Sequence, residues 1–335
     1  MKIGIIANNQ AFLSEVLATL RQRHQVQIYS GLPSGFPMPA RLKAISSLKT
    51  IVEGCYSSFL IPHILNWSDA TFFDFATIYL VRATHRPKVC RIVTRLHRYE
   101  LFQDYLTHID WKKVDKIIFV SKHTRHTFLS KIEFDTSKTL INPTGVDTER
   151  FRPRNRAYPS KRIGMLGDII PRKRVYEMIL AFSVLHKEIP DLTLSIAGAG
   201  IDQEYLYHVK SLLSRLRLHD SVFFGGRINN IETWYNSIDI LVSNSIHEGM
   251  QRSLIEAMAS GCYPLGHHYN GIEEVLADNQ IYYTEAEFVR KVKQYYSLDS
   301  ERMIDMSLRT RNKVIKDFNI KNEINGIIES IEVKS

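Results

Sequence analysis

The alternation of strand and helix patterns along most of this chain predicts an α/β protein built on parallel sheets. Two further observations predict two domains. At 335 residues the chain is long enough for two cores. The alternation also stops once, over Asp147–Ser160, where Pro153, Pro159 and charges of mixed sign fall without period, and then restarts. The expected division is a first domain over 1–150 and a second over 160–300, with a helical segment over 301–335.

In chain order, Lys2–Ala7 reads as a strand, Phe12–Arg23 as an amphipathic helix and Val26–Tyr29 as a second strand. Gly31, Pro33, Gly35, Pro37 and Pro39 mark an irregular connection, followed by a helix through Tyr56. The apolar stretch Tyr56–Leu65 is too short to span a bilayer and suits core packing or a dip into an interface. Ala70–Phe73, Val89–Thr94 and Lys116–Ser121 read as strands, the last followed by a helix from Lys122, and Thr139–Asn142 closes the half. The second half runs strand Arg162–Gly167, helix Val175–Lys187, strand Leu192–Ala197 and helix Gln203–Leu216. Strand Ser221–Phe224, helix Ile231–Asn236 and strand Ile238–Val242 follow. The last forty residues read as helix, broken at Leu298-Asp299-Ser300 and near Asp317-Phe318.

Hydrophobic residues make up 44% of the chain and charged residues 24%, ordinary proportions for a globular protein. No run of eighteen apolar residues occurs, and the chain starts directly on a strand pattern without a signal-peptide layout. Cys55, Cys90 and Cys262 are scattered and form no metal or disulfide pattern, so a reducing cytoplasm is expected. The net charge of +9 points to an anionic partner, but no zinc-finger or RRM-like motif accompanies it, so nucleic acid is not expected. Arg82, His85, Arg86, Lys88, Arg91 and Arg95 form a basic cluster that suits the acidic inner face of a membrane, or is simply solvated.

The densest chemistry lies in His247–Pro264. Gln251–Ser260 are good helix formers, and Gly261 with Pro264 reads as a stop. Leu254, Ile255, Ala257 and Met258 make that helix apolar on most sides, so Glu256 is a carboxylate that needs a hydrogen-bond donor, from the protein or from a ligand. Glu248 stands eight residues earlier, roughly 12 Å of helical rise away. A retaining glycoside hydrolase needs its two carboxyl groups about 5–5.5 Å apart, so this pair does not share one bond. Between the two lies a helix N-terminus, whose amides and dipole attract phosphate. Carboxylate, phosphate-binding helix start and carboxylate together fit a sugar–diphosphate–ribose ligand; one capping and one salt-bridged Glu is the alternative.

This segment resembles the E-x7-E signature, E-G-x6-E-A-M-A-x-G-x-P, of family 4 glycosyltransferases of the GT-B fold. The resemblance implies two Rossmann-like domains facing a cleft, with the C-terminal helical segment returning to the first. It also implies retaining transfer of a hexose from a nucleotide diphosphate sugar to a hydroxyl acceptor (a glycan, a lipid-linked or a small molecule), without metal or other cofactor. It places Glu248 near the transferred sugar and Glu256 on the nucleotide ribose. The backbone amides of Gly249, Met250 and Gln251 would face the hexose and the diphosphate.

Gly164–Arg174 follows a strand, so its cations face the ligand crevice of an α/β sheet and suit a departing diphosphate. The resemblance continues here into the family pattern G-R-x4-K-G. Lys173 matches its lysine, while Asp168 stands at its arginine position, leaving Arg172 or Arg174 to supply the missing cation. Gly198 and Gly200 resemble the family's strand-terminal G-x-G, where glycine lets backbone approach the nucleotide. Arg227 and Ile228 lie in a loop similar to the one that meets the nucleobase. His97 resembles a strand-terminal His that sits over the donor sugar in relatives, and is a catalytic candidate beside Glu248 and Lys173. Asn142–Pro153 is similar to the family's interdomain signature and reads as a structural turn, with Thr144 at its Asn position. Gly271–Val275 resembles G-x-P-E-x-V with Glu273 in place of Pro. Asp74, at a strand end, and Asn9, in a glycine-poor first loop, are acceptor-binding candidates. A non-catalytic sugar-nucleotide-binding subunit and a sugar-nucleotide epimerase are the competing readings.

Overall fold

The computed structural model describes residues 1–7, 13–29, 46–153 and 159–332, with side chains from Ser57 onward in the helix that starts at Ser46. Asn9, Phe12 and the irregular connection of Gly31–Pro39 lie outside the described residues. Two compact units are present: Met1–Pro143 with Asn322–Ser335, and Thr144–Lys321.

In the first unit a six-stranded parallel sheet has the order β2-β1-β3-β4-β5-β6, with β1 Lys2–Ile6, β2 Gln25–Tyr29, β3 Ala70–Phe73, β4 Arg91–Leu96, β5 Lys116–Phe119 and β6 Thr139–Ile141. Successive strand residues alternate faces, and here both faces are apolar. Ile3, Ile5, Phe72, Val93 and Ile118 pack with α1 (Ser14–Arg23) and with Ile327, Ile328 and Ile331 of the last helix, Ile320–Glu332. Ile6, Phe73, Ile92, Ile117 and Phe119 pack on the other face, with Ile61, Ile64 and Leu65 of the helix Ser46–Trp67. Tyr56–Leu65 is thus the C-terminal part of that one helix, and its apolar side is core. Pro62 falls inside it.

The second unit holds another six-stranded parallel sheet, in the order β12-β11-β10-β7-β8-β9. Its strands are β7 Arg162–Leu166, β8 Thr193–Ala197, β9 Val222–Gly226, β10 Ile240–Ser243, β11 Tyr263–His267 and β12 Ile281–Tyr282. Counted within the unit, that order is the doubly wound 3-2-1-4-5-6 with its switch point between β7 and β10, where such sheets bind ligands. Ile163, Met165, Ile240, Val242 and Leu265 pack with the helices Val175–Glu188, Gln203–Leu216 and Glu285–Tyr296. Leu241 and Ala197 face the opposite side, toward Ile231–Tyr235, Arg252–Ala259 and Ser300–Asp317.

Three features depart from the sequence reading. Tyr263–His267 is a strand despite Pro264, because β12 pairs only with Gly266 and His267 and leaves the Pro264 edge without a ladder to interrupt. Ile78–Thr84 is a further short helix, capped by Thr77, whose hydroxyl accepts from the Tyr79 amide. The division between units falls at Pro143, not near 150–160, and the helix Ser300–Asp317 belongs to the second unit. Val146 explains this: its N–H donates to Phe318 O at 2.8 Å and its carbonyl accepts from Ile320 N at 3.1 Å. Arg311 adds hydrogen bonds to the carbonyls of Thr148, Phe151 and Ala259, tying the 147–153 segment to the second unit.

Candidate functional site

The loops leaving β7 and β10 meet at the switch point of the second sheet. The chain turns after Leu166 at Gly167, which has φ +147°, and a short 3-10 turn, Pro171–Lys173, follows. Arg174 then adopts a left-handed conformation and starts the helix Val175–Glu188. Ile246 N donates to Arg172 O at 3.0 Å, and the Asn244 amide donates to Arg174 O at 2.9 Å, so the two loops are pinned by backbone as well as charge. Asn244 is fixed in turn by Tyr282, whose hydroxyl donates to Asn244 Oδ1 at 2.8 Å.

Those pins bring Lys173, Arg172 and Glu248 together. Lys173 Nζ lies 2.7 Å and Arg172 Nη1 2.8 Å from the same oxygen, Glu248 Oε1. The Lys173 and Glu248 side chains are only 11% and 13% exposed. Burial alone would raise the Glu248 carboxyl; the Lys173 charge and hydrogen bond, and then Arg172, outweigh it and hold the group below its ordinary range. Arg174 does not join this cluster. Its guanidinium pairs with Glu285 at 2.7 Å and Glu177 at 3.6 Å. Asp168, at the expected arginine position, is exposed.

Glycine is required where the ends of β7 and β8 touch. A Cβ on Gly198, which has φ +141°, would lie 1.9 Å from the Gly167 carbonyl oxygen, and one on Gly167 would lie 2.8 Å from Lys173 Cε. The Lys173 stem therefore rests on bare backbone. Gly200 leaves room for Leu206. Arg227 is exposed, and Ile228 packs against the edge of the second unit's core.

Gly249 and Met250 precede the helix Arg252–Ala259, whose N-cap is Gln251. Gln251 gives this helix no side-chain cap, because its amide is engaged by the Ser243 hydroxyl and by Ser253. Within the first turn the Leu254 amide bends back to Gln251 O at 3.1 Å. Further along, Tyr235 supplies the donor that the buried Glu256 carboxyl required, at 3.0 Å from Oε2. Burial raises the Glu256 carboxyl above its ordinary range, against the pull of Tyr235, Arg252 and Arg150. Tyr235 and Asn244 are site-supporting residues that the sequence reading missed. The unmet need of Glu256 for a donor was the only signal toward Tyr235.

In the first unit, His97 follows β4, and its ring stacks on Phe75 at 4.3 Å and 21°. Burial and then the Arg95 charge lower its pKa well below the ordinary value, so the ring is neutral. Asp74 has a different occupation from the one expected of it. It is fully buried and accepts from Arg95 Nε at 2.7 Å, while Arg95 Nη1 donates to Glu323 Oε1 of the last helix at 2.6 Å. A carboxylate committed to a buried ion-pair triad is not placed to take an acceptor hydroxyl. Arg95 likewise leaves the proposed basic surface, being 3% exposed, and Lys88 is paired with Asp115 at 2.5 Å.

Among the described residues, no group of three or more His, Cys, Asp or Glu side chains is arranged to hold a metal ion, and no helix is long and apolar enough to cross a membrane. Residues 147–313 match the family described as glycosyl transferases group 1. The chain is 30% identical over 149 residues to an uncharacterized glycosyltransferase of Haemophilus influenzae, covering 44% of this chain and 40% of that protein. It is 28% identical over 191 residues to alpha-monoglucosyldiacylglycerol synthase of Streptococcus pneumoniae, covering 51% of this chain and 42% of that one. The chain therefore spans less than half the length of these relatives. Among solved structures, HepE from Anabaena in complex with UDP and glucose aligns over 100% of both chains with a TM-score of 0.73 at 15% identity, a likeness of fold. Through residues 147–313 the chain belongs to the group 1 glycosyltransferases, and it carries the two-domain α/β architecture of the GT-B fold.

Proposed function

We propose that this protein is a retaining, metal-independent hexosyltransferase that moves a sugar from a nucleotide diphosphate donor to a hydroxyl acceptor. The observation that carries the reading is the Lys173–Arg172–Glu248 cluster at the switch point of the second sheet, beside a helix start without a side-chain cap. In the reaction, the bond between the sugar's anomeric carbon and the diphosphate oxygen breaks. A bond to the acceptor oxygen forms, and the acceptor proton passes to the departing diphosphate. Lys173, Arg172 and the amides of Gly249, Met250 and Gln251 would receive the charge that develops on that diphosphate. Glu248, held ionised by Lys173, would accept from hexose hydroxyls, and Glu256 from the ribose. His97, neutral and at a strand end, is assigned to the sugar by the family resemblance.

The name of the pneumococcal relative makes a lipid-linked hydroxyl a reasonable acceptor class. Contact with an anionic bilayer through Arg82, His85 and Arg86 belongs to the same proposal. Flotation with anionic but not neutral vesicles would support it. A binding subunit without turnover is the second reading, favoured by Asp168 standing where an arginine was expected. A thermal-shift screen over UDP-, GDP-, ADP- and dTDP-hexoses tests donor binding, since a ligand of the folded state raises the melting temperature. Hydrolysis of the stabilising donor without acceptor then separates enzyme from binder, and no stabilisation by any of them would sink the proposal.

A further inference from the structure

We propose that Glu100 is a positioning residue for His97, its buried carboxyl clamping the two strand-end loops whose stacking orients the imidazole. The inference rests on the assignment of His97 to the sugar. The strands β3 and β4 are neighbours, paired from Ala70 with Arg91 to Phe73 with Thr94. The chain leaves β3 through Asp74-Phe75-Ala76 and leaves β4 through His97, and Phe75 stacks on the His97 ring. The segment 74–76 is held on both sides of that stack. Asp74 is tied by its side chain to Arg95 and by its amide to Ile6 O at 2.9 Å. On the other side the Ala76 amide donates to Glu100 Oε1 at 3.3 Å.

Glu100 belongs to the His97 loop and is 0% exposed, and the nearby backbone amides of His97 and of Glu100 itself favour its charged form against burial. One carboxyl thus bridges the loop that carries Phe75 and the loop that carries His97. A leucine would fill the space without the desolvation cost of a carboxyl but would leave the Ala76 amide unmet. Burial pushes the Glu100 carboxyl up to about 8, so near neutral pH it is the uncharged acid and does not draw a proton onto His97. The His97 ring hydrogen-bonds to the Asp74 carbonyl, while its Nε2 is buried with no partner among the described residues. A proton on Nδ1 would serve the Asp74 carbonyl and leave Nε2 to accept from a hydroxyl.

The test uses the full chain labelled with nitrogen-15 in histidine rings, with His97→Gln to assign the His97 signals. Long-range proton–nitrogen spectra should show a neutral Nδ1–H tautomer for His97 in the parent and in Glu100→Gln, and averaged tautomers in Glu100→Ala. With UDP-glucose and GDP-mannose as probes, Glu100→Ala should lose about ten- to a hundredfold in kcat with little change in KM. Glu100→Gln should restore that loss. Unchanged His97 signals in folded Glu100→Ala overturn the proposal. If that variant does not fold, Phe75→Leu replaces it, removing the stack while keeping the clamp, and unchanged signals there overturn it equally. The spectra need no turnover, so an inactive parent would count against the glycosyltransferase reading and not against the positioning of His97.

Discussion

Lys173 Nζ and Glu248 Oε1 stand 2.7 Å apart although 75 residues separate them in sequence. The doubly wound order of the second sheet makes them meet, because β7 and β10 are neighbours and each residue lies in the loop beyond its strand. The pair is nearly enclosed, so its Coulomb attraction is little screened by solvent. It fixes Glu248 as a carboxylate.

Lys173→Ala should therefore lower turnover by about a hundredfold, the scale of removing one charge-stabilising donor, and raise the donor KM much less. Steady-state kinetics on the donor found by thermal shift measures both. The depressed Glu248 carboxyl also contributes stability that is present above its ordinary pKa, near about 4.3, and lost as pH falls through the lower folded value. The variant should show a smaller acid-side slope, because Arg172 still pairs with the carboxylate. Equal turnover in a folded Lys173→Ala protein would remove the leaving-group role.

Glu256→Gln keeps an acceptor for the Tyr235 hydroxyl, so the fold should survive while the charge is lost. If Glu256 holds the ribose, UDP binding measured by calorimetry should weaken by about 1.5–3 kcal/mol, the scale of hydrogen bonds to a charged group. Unaltered affinity would reassign Glu256 to a structural bond with Tyr235.

The parallel sheets were legible because their strands are apolar on both faces, as in Ile3-Gly4-Ile5-Ile6 and Ile240-Leu241-Val242. Lys173, Glu248 and Glu256 could be singled out from residue type and spacing, and the structure brings Lys173 and Glu248 together; their roles toward a ligand are part of the proposal. Partners distant in sequence were not legible. Nothing near Asp74 shows that Arg95 will cover it, and Glu323 lies 228 residues from Arg95. The fate of Asp74 was misread for that reason. The two-residue β12 carries too little pattern to register as a strand, and Pro264 hid its neighbour.

Glu323→Ala should test how firmly the last helix is held to the first unit. It leaves Arg95 still paired with Asp74 but removes one hydrogen bond between charged groups, worth about 1.5–3 kcal/mol. Urea unfolding measures the loss, and Glu323→Gln, which can still accept from Arg95, should lose less. A cost of under about 1 kcal/mol would mean that the apolar contacts of Ile327, Ile328 and Ile331 alone hold the helix.

Glu100 gives the fold a pH dependence of opposite sign to that of Glu248. Its folded pKa, about 8, lies above the unfolded value near about 4.3, because burial disfavours the charge and Asp74 adds to it. In that window the folded chain keeps a proton that the unfolded chain gives up. The stabilisation is complete below the unfolded value and falls as pH rises toward 8, by at most about 1.4 kcal/mol per pH unit. Glu100→Gln, neutral at every pH, should lack this fall, so its stability relative to the parent should rise steadily between those limits. The charges of Arg95, Asp74 and Glu323 and the neutral His97 are common to both proteins, so the difference isolates Glu100. Denaturant unfolding of the two proteins at a series of pH values reads it directly, and parallel stability curves would show that the Glu100 carboxyl ionises in the folded state as readily as in the unfolded chain.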